Sequence, residues 1–154
     1  MIIGTAGHRP QKTGGRPLDL LLLAQRAILR ENPDSVITGM ATGWDQAIAR
    51  ACFGLGIPYI AAVPFEGQES RWPDAVQMEY RSLLGGAAKV VYVSVPGYHP
   101  AKMAKRNQWI VDHSDKMLVL YDGMGDSGTA DAVGRADLAG LVITNCWQEW
   151  LEAR

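Results

Sequence analysis

Glycine, hydroxyl and charged residues gather in five short stretches of this sequence, and the combination suits the binding of an anionic ligand. Gly125-Asp126-Ser127-Gly128-Thr129 is the densest of them. Its glycines let a backbone turn tightly and approach an anion, Ser127 and Thr129 carry hydroxyl donors, and a helix following them would aim free amides at bound oxygens. The same residues also make an ordinary turn in which Asp126 or Ser127 caps the helix. In a second stretch, Gly39, Thr42, Gly43 and Asp45 suit a ribose or phosphate, or serve only to bring a helix close to a sheet. Gly7, His8 and Arg9 form a third. The guanidinium of Arg9 is a planar fork of donors matched to phosphate or carboxylate, and His8 either caps a ligand or ties down its own loop. Glu66, Glu69 and Arg71 form a fourth, suited to ribose hydroxyls or to a catalytic carboxylate; on a solvated loop they would make an incidental ion pair. Pro96 to Pro100 is the fifth. Trp44, Trp72 and Tyr98 could stack on a base, although aromatic residues at helix starts also fill the edge of a core.

Several chemistries are disfavoured. No GK[ST] follows the glycines, and no full GxGxxG follows the first strand, which argues against ATP hydrolysis and ordinary NAD-dependent hydride transfer. His8, His99 and His113 lack ligand spacing, so no metal site is expected. Cys52 and Cys146 stand in apolar surroundings without CxxC spacing and read as reduced thiols rather than a disulfide or metal pair. With 15 Lys and Arg against 16 Asp and Glu, the chain lacks the basic stripe of a polyanion binder. Neither a signal peptide nor a run of the ~20 apolar residues that span a bilayer is visible. The expected partner is a small-molecule nucleotide derivative, with neither nucleic acid nor membrane, and the expected location is the cytoplasm.

The elements that must position these clusters follow from periodicity. Apolar runs at 1–6, 35–39, 59–63, 89–94 and 116–121 read as strands, and 141–144 as a possible sixth. Between them lie helices at 18–31, from about Pro73, at 101–113 with Met103, Ile110 and Val111 facing inward, and from the last glycine loop to near Gly140. Trp44, Ala47, Ile48, Ala51, Cys52 and Leu55 form one apolar stripe on a further helix, closed by Gly54 or Gly56. Residues 7–17 read as a loop, and residues 147–154 as a short closing helix. The near-continuous apolar runs VVYV and MLVLY predict central parallel strands covered on both faces. Right-handed crossovers then bring every strand-to-helix loop to one rim of the sheet, where ligands of open α/β sheets bind.

The segments GTAGHRP, TGMATGWDQAIA, AVPFEGQESRW and MAKRNQWIVDHSDKMLVLYDGMGDSGTADAV, in this order, resemble the YpsA-like branch of the SLOG superfamily. That superfamily also includes the LOG, or lysine decarboxylase-like, proteins and the DprA-like Rossmann domains. The resemblance, which covers most of residues 1–140, implies an α/β, three-layer modified Rossmann fold with a mostly parallel sheet of five or six strands, and the length of 154 residues suits one domain over residues 1–154. It also implies a nucleotide pocket and a homodimer or higher homo-oligomer. LOG enzymes hydrolyse the N-glycosidic bond of modified adenosine monophosphates, using a helical arginine and a PGGxGTxxE motif. Arg106 matches that arginine, and Gly125, Gly128 and Thr129 approximate the glycine–threonine part. Ala132 stands where the glutamate would be, with Asp131 one place earlier. A helix turns by about 100° per residue, so that shift points the carboxylate elsewhere.

Three functions follow as expectations. The first is binding of a phosphorylated nucleotide or nucleotide-derived ligand (AMP, ADP-ribose or NAD-related), with no cofactor required. The second is N-glycosidic hydrolysis of nucleoside monophosphates, with Arg106 and Asp131, Glu66 or Glu69 as catalytic groups. The third is an interaction module acting through a dimer or partner surface.

Overall fold

A computed structural model describes residues 1–125 and 127–153; Asp126 of the glycine loop and Arg154 at the chain's end lie outside the described residues. In chain order the elements are β1 (Ile2–Gly7), α1 (Pro10–Thr13), α2 (Pro17–Glu31), β2 (Ser35–Thr38), α3 (Trp44–Leu55), β3 (Tyr59–Val63) and α4 (Asp74–Gly86). There follow β4 (Lys89–Tyr92), α5 (Pro100–Asp112), β5 (Lys116–Leu120), α6 (Gly128–Leu138), β6 (Val142–Asn145) and α7 (Trp147–Glu152). The strands form one six-stranded sheet in the order β4-β3-β2-β1-β5-β6. All pairs are parallel, with Ile3 level with Val36 on one side of β1 and Gly4 level with Met117 on the other.

Alternation along the strands divides the core into two layers. Ile3, Val36, Ala61, Leu118 and Leu120 face α2, α3, α4 and α7, whereas Ala6, Ile37, Ala62, Met117 and Val119 face α5 and α6. The stripe on α3 is buried from Trp44 to Cys52, with Leu55 packed at its margin. Of the two candidate glycines, Gly56 ends the helix: it takes φ +71° and donates its amide to the Cys52 carbonyl. Gly4 carries no side chain because Ile110 of α5 and Met117 crowd the place a Cβ would take.

Three expectations change. VVYV is not central: β4 is an edge strand, exposed or half-buried along its length, because β3 is its one neighbour. Of the two runs only Met117–Leu120 of β5 has the buried, two-sided setting that both were expected to share, and Tyr121 lies just beyond the strand, half-buried. The loop at 7–17 contains the short helix α1, with Pro10 in its first turn, where a missing amide hydrogen costs nothing. Trp44 is fully buried and packs on the bare backbone of Gly7, which removes it as a stacking platform. Both cysteines are free thiols in the core.

Candidate functional site

The chain leaves β1 toward β2 on one side, and α5 later carries it back from the β4 edge to β5 on the other. This reversal parts the loops above β1 and β5, and a crevice at such a switch point is where doubly wound sheets take ligands. A cavity of about 480 Å³ opens there. Gly7, His8 and Arg9 line it from the end of β1, Asp45 from α3, Arg106 from α5, and Ser127, Gly128 and Thr129 from the first turn of α6. Ser127 caps α6, its Oγ accepting from the Ala130 amide at 3.0 Å. Among the described residues the amides of Gly128 and Thr129 have no acceptor, as expected for the first turn of a helix.

A second cavity of about 560 Å³ adjoins the first and shares Arg9, Tyr98 and Met103 with it. Glu66 and Arg71 line this one, together with Phe65 and Trp72. Arg9 is exposed at the junction, and its guanidinium makes no hydrogen bond or ion pair among the described residues. Tyr98 is 74% exposed and meets Phe65 edge-on, with ring centroids 6.2 Å apart. Trp72 instead packs edge-on against Tyr80.

Several expected residues shape the site without facing it. A Cβ on Gly39 would press into the Arg106 guanidinium and sit 3.0 Å from Asp45 Oδ2. Gly43 holds φ +89° at the start of α3, where a Cβ would lie 2.5 Å from the His8 carbonyl and 2.9 Å from Arg9 Cα. That carbonyl accepts the Trp44 amide at 3.2 Å, so α3 is docked end-on to the β1 loop. Between these glycines Met40 is buried at φ +62°, a conformation costly to a bulky side chain. It is held there by its amide on Thr38 Oγ1 and by Gln46 donating to its carbonyl. Thr42 and Gly125 line neither cavity.

The acidic and basic groups divide similarly. Arg106 is 6% exposed and donates through Nη1 to the Gly39 carbonyl at 2.6 Å and through Nε to Asn107 Oδ1 at 3.1 Å. Burial pushes its pKa below the ordinary guanidinium value, with Asp45 opposing. Asp131 lines neither cavity and accepts from Arg135 Nε at 2.9 Å and Asn107 Nδ2 at 3.0 Å. Desolvation raises its pKa, but those two bonds outweigh it and hold the carboxyl below its usual range. Glu69 is buried with Oε2 3.7 Å from Arg81 and lines neither cavity. His8 is buried with Nε2 2.9 Å from Asp122 Oδ1, so it ties the β1 loop to the β5 loop.

Sequence reasoning missed Asn107, Asp122 and Met103 as site residues. Asn107 accepts from Arg106, donates to the Gly128 carbonyl and holds Asp131, which locks α5 to the first turn of α6. Its signal was an amide side chain beside Arg106 in mid-helix. Asp122 receives Lys12 as well as His8. The Met124 amide, then Lys12 and His8, hold its carboxyl down to about 2 against desolvation. Met103, expected in the core, is half-buried between the two cavities.

A six-stranded parallel sheet covered on both faces, with a crevice at its switch point, defines a Rossmann-like α/β protein. The chain belongs to the YspA SLOG family, whose model matches residues 21–133. The SPbeta prophage-derived protein YoqJ of Bacillus subtilis is 35% identical over 136 residues, covering 76% of this chain and 77% of YoqJ. Among solved structures, DNA processing protein A (DprA) from Streptococcus pneumoniae superposes with a TM-score of 0.68 at 21% identity. That match covers 93% of this chain and 49% of DprA, so this chain spans about half of it. DprA from Helicobacter pylori, described for its single-stranded DNA binding mode, gives a TM-score of 0.67 at 15% identity over 94% of this chain and 64% of its own. Among the described residues, no helix is long and apolar enough to cross a membrane.

Proposed function

We propose that the chain binds a phosphorylated nucleotide or nucleotide-derived ligand, of the AMP, ADP-ribose or NAD kind, in the crevice between β1 and β5. One observation carries this: the Arg9 guanidinium, which has no partner among the described residues, and the first turn of α6 line the same cavity of about 480 Å³ at the switch point of the sheet. Helix amides and a free guanidinium are complementary to phosphate, and the volume falls in the range of small-molecule sites. Tyr98 offers an exposed ring face for a base.

The other two functions have less support. Hydrolysis of an N-glycosidic bond needs a carboxylate at the anomeric carbon. Asp131 is committed to Arg135 and Asn107, Glu69 lies beside Arg81, and Glu66 belongs to the second cavity. An interaction module would fit a shallow rim with Arg106 in an ion pair, whereas this rim is concave and Arg106 is spent on a carbonyl and an amide. The DprA fold raises single-stranded DNA as a competing ligand. A polyanion groove draws on a row of free cations; here Lys12 is given to Asp122 and Arg106 to Gly39, which leaves Arg9 and Arg71 as the cavity-lining arginines without a partner among the described residues.

Isothermal titration with AMP, ADP-ribose, NAD and a single-stranded oligodeoxynucleotide tests the proposal. At least one nucleotide should bind at micromolar concentration or tighter, and more strongly than the oligonucleotide does per site. Arg9→Ala should weaken it by about tenfold or more while leaving the unfolding midpoint in place, because the side chain is exposed. Folded protein that binds none of the nucleotides would sink the idea.

A further inference from the structure

Asp45 is 5% exposed, lines the β1–β5 cavity, and has a buried Oδ1 with no hydrogen-bond partner among the described residues. The rest of the residue is fixed: Oδ2 accepts from the Ala41 amide at 3.2 Å, and the backbone carbonyl accepts from Thr38 Oγ1 at 2.9 Å. A buried acceptor left without a donor is unfavourable and uncommon. None of the described groups around it donates to this oxygen. From α5, Arg106 directs its Nη1 and Nε to Gly39 and Asn107. Arg9, on the loop after β1, acts on Asp45 through space without a hydrogen bond. Tyr80 of α4 acts on Arg106 through space and accepts from Gln68, while His8 and Lys12 in the same cavity are both tied to Asp122. Ser127, Gly128 and Thr129, the lining residues from α6, carry no charge.

We propose that the Asp45 carboxylate accepts a hydrogen bond from a ribose hydroxyl of the ligand, which makes the cavity selective for ribonucleotide over deoxyribonucleotide derivatives; this rests on nucleotide binding at the rim. A second anion beside Asp45 would be repelled, whereas a neutral hydroxyl supplies the missing donor. In a nucleoside 5′-phosphate held at α6 and Arg9, the ribose hydroxyls lie only a few bonds from the phosphate. They are therefore the donors nearest to the anion site. A site built around a substrate hydroxyl rejects the analogue lacking it, because its own buried polar group then stays unpaired.

A donor favours the ionised carboxylate, so the interaction has a signed pH dependence. Burial pushes the Asp45 carboxyl up to about 6, against Arg106, the Ala41 amide and Arg9. Affinity should be flat well above that value and fall as the pH drops through it.

Calorimetry with AMP, 2′-deoxy-AMP and 3′-deoxy-AMP, on the wild-type chain and Asp45→Asn, tests the selectivity; a melting curve checks that the variant folds. The wild type should bind at least one deoxy analogue about tenfold more weakly than AMP, and that gap should shrink severalfold in Asp45→Asn. A pH series with ADP-ribose, whose pyrophosphate does not titrate near neutrality, should show weakening below about pH 6 in the wild type and little in the variant. Equal wild-type affinity for all three nucleotides, or a gap that survives in Asp45→Asn, overturns the inference alone. No binding of any nucleotide overturns the proposed function and takes this inference with it.

Discussion

Asp45 and Arg106 line one cavity as buried charges, yet each is satisfied differently: the guanidinium has carbonyl and amide acceptors, while one carboxylate oxygen has no partner among the described residues. This imbalance has a consequence for stability that needs no ligand. In the unfolded chain the Asp45 carboxyl titrates near its ordinary 3.8, and in the fold near 6. The folded state thus holds the proton more tightly. The stabilising contribution of the neutral acid is complete below the lower value and is lost as the pH rises through the upper one. Asp45→Asn should therefore raise the unfolding free energy at pH ~8 by on the order of 2–3 kcal/mol, and change it little at pH ~4. Urea titrations at the two pH values measure this. The same increment at both would mean that the carboxyl is not perturbed. At this scale much of the cavity lining was legible: nine of the residues singled out from sequence, Gly7, His8, Arg9, Asp45, Tyr98, Arg106, Ser127, Gly128 and Thr129, line the first cavity. Their types are informative wherever strand-to-helix loops converge. Asn107 and Asp122 were not legible, because their importance comes from partners 24 and 114 residues away.

At the scale of elements, glycines separate into those that fit a helix to a strand and those that merely interrupt one. Gly43 is of the first kind. Its positive φ and the 2.5 Å approach to the His8 carbonyl both exclude a side chain. Gly43→Ala should cost roughly 3 kcal/mol or more through strain and overpacking, and it should disturb the Arg9 loop. Gly134 is of the second kind: it is exposed in the middle of α6, and a Cβ there meets nothing within 4 Å. Gly134→Ala should stabilise the chain by roughly 0.5–1 kcal/mol, the difference in helix propensity. Thermal or urea unfolding of the pair should give opposite signs, and like signs would contradict the packing described at Gly43. Helices were legible where a stripe repeats over several turns, as on α3. The single turn of α1 has no room for a repeat, and its one cue is Pro10 in first-turn position. The edge placement of β4 was illegible for another reason. VVYV reads alike in the middle of a sheet and at its margin, and position in the sheet is decided by where α5 carries the chain next.

Strand order governs the whole molecule's mechanics as well as its site. β1 is hydrogen-bonded on both sides, to β2 and β5, and its core residues Ile3 and Thr5 are each 1% exposed. β4 and β6 each have a single neighbour and show only exposed or half-buried residues. Amides of β1 and β5 should thus exchange with solvent only through global unfolding, whereas β4 and β6 should open locally and exchange at least tenfold faster. The proposed ligand crevice sits on the doubly paired part of the sheet, with one wall built from the β1 loop and another from α6, so a bound nucleotide should join the two. At a hundredfold excess over its dissociation constant it adds about 2.7 kcal/mol to global stability. That increment should appear as further slowing in β1 and β5. Local protection should appear at 7–13 and in the first turn of α6, with the edge strands nearly unaffected. Peptide-resolved hydrogen exchange with and without ADP-ribose reads all of these together. If β4 proves as slow as β1 without ligand, the sheet is held by something beyond its own pairing. If ligand protects β4 and not 7–13, the nucleotide lies away from the switch point.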